Sequence, residues 1–362
     1  MWIYLLLGAG LFMGWSLGTN DAANAFGTAV ATRVVKYRTA VTIIAVMVML
    51  GAILLGHQNI DKLSSIATNN EVSASIDEVN TAIANGTLGE LRLKSALKAA
   101  IIFACAAITV FVMSYMKFPV SANQSITGAV IGWGLCYANY DDPAILKGNI
   151  KEIIEFVSTW LINPLGAALI SFVLVFLVKK FLEKRLTSMK RYDVIIKFGY
   201  IAAGAFSAFS IGQNSSASVT AFYYDATGLG ANLIYGNEGW LTGARIAAIV
   251  GGLAIAIGVL TFSKRVMMTV GGSIAEISQV DGFVVIIASA LTVVLMGNLM
   301  GIPVSTSQSV VGAVIGAGLV GGVKKVNFGV LKNVGIAWIS SPTVAGLLAF
   351  LVGLATKGYF GA

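Results

Sequence analysis

The sequence predicts an all-α polytopic membrane protein made of two inverted-topology repeats, each with a discontinuous helix and a re-entrant helical hairpin. Three observations carry that prediction. The composition is that of a bilayer protein: 57% of the 362 residues are hydrophobic and 11% are charged, with a mean hydropathy of +0.85. A seventeen-residue motif occurs twice. The Lys and Arg bias of the loops changes sign between the two copies.

The spans come first. A membrane helix needs roughly 20 apolar residues, and the stretches 2–32, 40–56, 99–116, 153–178, 198–222, 241–262, 283–300 and 333–356 qualify. In such a chain the net charge of +8 reflects cytoplasmic loops rich in Lys and Arg, and nucleic acid is not an expected partner. The two cysteines, Cys105 and Cys136, sit in apolar or border sequence, so no disulfide framework is expected.

The doubling is explicit. "PVSANQSITGAVIGWGL" (Pro119–Leu135) and "PVSTSQSVVGAVIGAGL" (Pro303–Leu319) are identical at twelve of seventeen positions. "TWLINP" (Thr159–Pro164) answers "AWISSP" (Ala337–Pro342), and "WSLGTN" (Trp15–Asn20) answers "FSIGQN" (Phe209–Asn214). Three stations in one order divide the chain into a first repeat, 1–180, a basic linker, 181–193, and a second repeat, 194–362.

Loop charge sets the relative orientation. Arg33, Lys36 and Arg38 follow the first apolar stretch, whereas Tyr223–Trp240 contains no basic residue. The acidic segment 57–90 is answered by Lys264 and Arg265, and "YANYDDPA" by "VKKVN". The halves are therefore expected to be inverted in the bilayer, with a cytoplasmic linker and external termini. Each Pro-Val-Ser segment lies between two apolar stretches, the second too short to span. Residues about 99–136 and about 283–320 are expected to form hairpins entering from opposite faces, with the Pro-Val-Ser turns as tips.

The tips are polar. Ser121, Asn123, Gln124 and Ser125 follow Pro119; Ser305, Thr306, Ser307, Gln308 and Ser309 follow Pro303. Proline favours the first turn of a helix and hydroxyl residues its N-cap, so each tip offers unpaired N–H groups at a positive helix end. That is an anion-binding surface. Capping of buried helix ends is the simpler reading of either copy alone.

A second polar set lies in "GTNDAANAFGT" (Gly18–Thr28), where Asp21 is the one charge between Trp2 and Thr32. Asn20, Asp21 and Asn24, with Gln213 and Asn214 of the other half, supply oxygen ligands of the kind a hard cation such as Na⁺ takes. Gly18 and Gly212 are expected to let the first and fifth principal helices break and expose carbonyls. A structural Asp bonded to hydroxyls is the alternative. Bound cations would supply the positive charge a multivalent anion needs beside a carboxylate, which is the physical content of symport. Lys117, before the first tip, has neutral Met300 as its counterpart and is expected at a solvated border.

These residues resemble a known family. "GTNDAANAFGTAVATRVV" is similar to the first signature of the inorganic phosphate transporter family, with Gly18, Asn20, Asp21, Asn24, Gly27 and Thr28 at its core positions. The tips resemble that family's Pro-(Val/Ile)-Ser-x-Thr-His-(Ser/Cys) elements, with Gln124 and Gln308 where many members carry His. The resemblance implies a secondary-active symporter of the cell membrane that imports inorganic phosphate, coupled to Na⁺ or in some members to H⁺, and a homodimer. Two departures stand out: "GQNSSASV" puts Ser215 and Ser218 where the repeated signature has Asp and Asn, and the tip histidines are missing. Few titratable groups are left to carry a proton, which favours Na⁺. Transport of another oxyanion such as sulfate, and an anion channel, remain as alternatives. An enzyme is not expected: there is no metal-ligand cluster, no nucleophile–base pair and no nucleotide-binding motif.

Overall fold

The computed structural model describes residues 2–31, 33–60, 76–116, 120–137, 143–181, 189–224, 242–264, 267–268, 278–300, 304–322 and 326–360. Among these, α1 (Trp2–Ala31) and α2 (Tyr37–Leu55) are followed by a 3₁₀ turn, Gly56–Asn59. Then come α3 (Ile76–Ala84), α4 (Leu88–Tyr115), α5 (Ala122–Tyr137) and α6 (Pro143–Phe181). The second half supplies α7 (Met189–Tyr224), α8 (Gly243–Phe262), α9 (Gln279–Met300), α10 (Thr306–Val320) and α11 (Phe328–Phe360). Seven of the described helices are long and apolar enough to cross a membrane.

The packing partners come in couples that exchange the two halves. Helix α1 packs on α8 and α7 on α2; α4 packs on α1 and α9 on α7. Helix α5 lies against α11, and α10 against α6. Two copies of one design, each completing the other, produce such a pattern. The principal contact of each short helix is therefore with the half to which it does not belong.

Glycines allow these contacts to be made backbone to backbone. A methyl group on Gly18 would collide with the Ile255 carbonyl oxygen, and one on Gly212 with that of Val48. Gly128 and Gly132 of α5 meet the Pro342 and Gly346 carbonyls of α11, while Gly312 and Gly316 of α10 meet those of Pro164 and Ala168 in α6. Small residues that bring backbones together are the usual means of holding helices in lipid, where apolar burial provides no drive.

This corrects one expectation. Helices α1 and α7 run unbroken through Gly18 and Gly212, so neither glycine opens a discontinuity. The missing side chain serves a close helix crossing instead. Pro164 and Pro342 likewise stand inside continuous helices, which membrane helices tolerate when neighbours satisfy the freed backbone groups.

The short helices α5 and α10 have 16 and 15 residues, a rise of about 24 and 22 Å, short of the hydrocarbon core. Helices α4 and α9, which precede them, begin earlier than the apolar pattern indicates, at Leu88 and Gln279. Residues 117–119 and 301–303, with Lys117 and the turn prolines, and linker residues 182–188 lie outside the described residues. Cys105 and Cys136 are both free and buried.

Candidate functional site

Each short helix opens with the same local device. Ser121 Oγ accepts from the Gln124 N–H at 3.3 Å, and Ser305 Oγ from the Gln308 N–H at 3.2 Å. Ser125 and Ser309 donate back to the carbonyls of Ser121 and Ser305 at 3.2 and 3.1 Å. A serine cap satisfies one orphan donor of a helix start. These four hydroxyls are thus already engaged within the tips. All nine tip residues expected to hold an anion are buried.

The tips meet head to head. Asn123 Nδ2 donates to the Val304 carbonyl at 3.0 Å, and Ser307 Oγ to the Val120 carbonyl at 3.2 Å. Helices α1 and α7 hold the same two carbonyls from the side, through Asn20 Nδ2 to Val120 (3.1 Å) and Asn214 Nδ2 to Val304 (2.8 Å). Four elements therefore converge, each through side chains singled out from the sequence.

Asp21 stands at this junction, 3% exposed. Its Oδ1 accepts from Asn20 Nδ2 at 3.3 Å and Asn24 Nδ2 at 3.1 Å, and its Oδ2 from Thr306 Oγ1 at 2.9 Å. Asn24 Nδ2 also lies 3.2 Å from Ser307 Oγ and 3.3 Å from Thr306 Oγ1. Asn20 and Asn24 spend their NH₂ groups here, which leaves their amide oxygens as acceptors for a cation. Thr306, grouped by sequence with the anion site, belongs by contact to the carboxylate as well, and Ser307 to its neighbour Asn24. On the α7 side, Gln213 Nε2 donates to Asn298 Oδ1 at 3.1 Å, and Asn214 Nδ2 lies 3.3 Å from Ser215 Oγ.

Among the described residues, several buried amide atoms have no partner: Gln124 Oε1 and Nε2, Gln308 Oε1, Asn123 Oδ1 and Gln213 Oε1. Leaving such a group unpaired costs about 1–3 kcal/mol. A polar ligand between the tips would remove that cost. It would find the Gln124 amide N–H and first-turn N–H groups for an anion, with unpartnered amide oxygens and one carboxylate beside them for a cation.

Sequence reasoning missed two participants in this network. Asn163 of α6, buried, donates to the Ser305 carbonyl at 2.8 Å and accepts from Ser309 Oγ at 2.9 Å; Asn298 of α9 holds Gln213. The signal for Asn163 was its place before Pro164 in a repeated motif. Asn298 gave little beyond being an amide in an apolar run. A half-buried ion pair was missed as well: Lys179 Nζ at the end of α6 lies 3.0 Å from Oδ2 of buried Asp281 at the start of α9.

The family model described as "Phosphate transporter family" matches residues 17–349. A protein of Pyrococcus horikoshii named "Putative phosphate permease" is 28% identical, the match covering 97% of each chain. One of the same name from Methanocaldococcus jannaschii is 26% identical, covering 93% of this chain and 92% of its own. Among solved structures, "The sodium-dependent phosphate transporter" superposes with a TM-score of 0.74 at 23% identity, over 99% of this chain and 100% of that one, a likeness of fold. With the signature at Gly18–Thr28 inside the matched span, the chain belongs to the phosphate transporter family.

Proposed function

We propose that the protein is a secondary-active symporter that imports inorganic phosphate together with Na⁺. Phosphate transport across a membrane is the activity of its family, one of transporters and not of enzymes, and the apolar helices make it an integral membrane protein. The finer reading rests on one observation: Thr306, in the first turn of the α10 tip, donates directly to the Asp21 carboxylate. The element that would hold the anion and the group that would hold the cation touch. Phosphate lies between the tips, on the amides of Asn123, Gln124 and Gln308, the backbone N–H groups and the tip hydroxyls. Na⁺ sits beside it on Asp21 and the amide oxygens of Asn20 and Asn24, with Gln213 and Asn214 closing the other side.

Binding either ion then favours the other, because each neutralises the charge the other leaves exposed in a low-dielectric site. The two repeats lie inverted in the cell membrane, with short helices entering as hairpins, a cytoplasmic linker and external termini; the opposed tip-to-tip bonds support that reading. A homodimer, implied by the family resemblance, belongs to the same proposal. Labelled phosphate uptake into proteoliposomes, with Na⁺, K⁺ and pH gradients imposed separately, tests the coupling. Uptake driven by the Na⁺ gradient alone is expected. Uptake driven only by the pH gradient would replace Na⁺ with H⁺, and non-saturable flux down any phosphate gradient would indicate a channel.

A further inference from the structure

The matched motifs assign every residue of the Asp21 locus a counterpart in the other half. Counting along "WSLGTN" and "FSIGQN", Asp21 corresponds to Ser215 and Asn24 to Ser218. Along the Pro-Val-Ser motifs, Thr306 corresponds to Ala122 and Ser307 to Asn123. The surrounding frame obeys this correspondence: Asn20 and Asn214 hold equivalent carbonyls, and so do Asn123 and Ser307. The contact between Asp21 and Thr306 does not. Its counterpart is a serine opposite an alanine, so the carboxylate and the hydroxyl that would meet it are both missing.

The two changes belong together. An aspartate at position 215 facing Ala122 would be a buried carboxylate short of a donor, which is costly. Ser215 instead accepts from Asn214 and is fully buried, and an alanine methyl needs no partner. The second locus keeps uncharged oxygens only, among them the unpartnered Asn123 Oδ1. Neutral oxygens alone compensate the desolvation of a cation less well than a carboxylate does.

Resting on the Na⁺ reading above, we infer that the phosphate-free protein binds one Na⁺ per protomer, at the Asp21–Thr306 locus, and none at the Ser215–Ala122 locus. The halves share a frame but divide the electrostatic work unequally.

The test is equilibrium binding of labelled Na⁺ to the purified full-length protein without phosphate, alongside sodium-dependent uptake by the same preparation. Wild type should bind one Na⁺, and the paired variant Ala122→Thr with Ser215→Asp should bind two if it remains monodisperse. Two Na⁺ bound by wild type would overturn the inference while leaving sodium coupling intact, and that measurement does not depend on the variant folding. A folded double variant that still binds one would overturn the assignment of the second locus. No Na⁺ bound by wild type, together with uptake indifferent to sodium, would overturn the coupling itself and this inference with it.

Discussion

Asn214 grips the backbone of Val304 with both ends of its amide: Nδ2 donates to the carbonyl at 2.8 Å, and Oδ1 accepts from the N–H at 2.9 Å. A side chain in the middle of α7 thereby does for the α10 tip what a neighbouring strand would do in a sheet. The alternative is an unpaired N–H at the start of a buried helix, with the carbonyl held by Asn123 alone. Asn214→Ala leaves the Val304 N–H without its partner, at about 1–3 kcal/mol, while the carbonyl keeps its bond from Asn123. Thermal unfolding in detergent should show a clear fall in melting temperature, and an unchanged transition would mean that the tip is held by other contacts.

The amides of Gln124 and Gln308 should contribute to phosphate binding rather than to folding. Both are buried, and both carry atoms without a protein partner, so Gln308→Ala removes little that the unliganded protein uses. Phosphate affinity should fall by about 1–3 kcal/mol, the range for a hydrogen bond to a charged group, with the melting temperature of the unliganded protein nearly unchanged. Gln124→Ala should behave alike. Wild-type affinity in both variants would return the tips to a capping role.

Asp21→Asn preserves size but removes the charge that the cation meets. Sodium binding should weaken most, and by linkage phosphate affinity at low sodium should fall, recovering in part as sodium is raised. A purely structural Asp21 makes another prediction, because its three hydrogen bonds already satisfy much of the carboxylate: lower stability with the sodium dependence intact. Direct relief of repulsion makes a third, tighter phosphate binding at every sodium concentration. Phosphate affinity across a sodium titration, in wild type and variant, separates the three.

Two glycines of α1 should respond oppositely to alanine. A methyl group at Gly18 meets the Ile255 backbone, whereas one at Gly8 meets nothing within 4 Å. Gly8→Ala should be neutral or stabilising by up to about 1 kcal/mol, the helix-propensity gain. Gly18→Ala must push α1 away from α8 and should destabilise clearly in a detergent melt. Equal behaviour would contradict the close crossing.

For the orientation in the membrane, the linker is the informative position. A cysteine introduced as Thr187→Cys should be protected from an impermeant thiol reagent added to intact cells, and should become reactive when the membrane is opened. Ready labelling from outside would invert the proposed topology.

Much of this was legible because the polar residues are so few. In a chain this apolar, Asp21 with Asn20 and Asn24, and the Ser and Gln clusters after Pro119 and Pro303, had to mark either buried networks or a site, and the structure brings them together. Pairing between them was not legible: Thr306 faces Asp21 across 285 positions, a separation no local pattern encodes. Gly18 was misread because a glycine in a membrane helix serves a break or a close crossing equally well, and only the position of α8 decides. The pairing of Lys179 with Asp281 was not legible for a similar reason: the two lie on helices distant in sequence.

The backbone-on-backbone crossings of α5 with α11 and of α10 with α6 also limit how the molecule can deform. Side chains stacked between two helices can change rotamer and let them slide, but a glycine against a carbonyl oxygen offers no such slack. Each short helix is thus geared to a long helix of the opposite half. A displacement of either tip is therefore expected to carry that long helix with it, so that α5 with α11 and α6 with α10 would move as units across the two repeats written in the sequence.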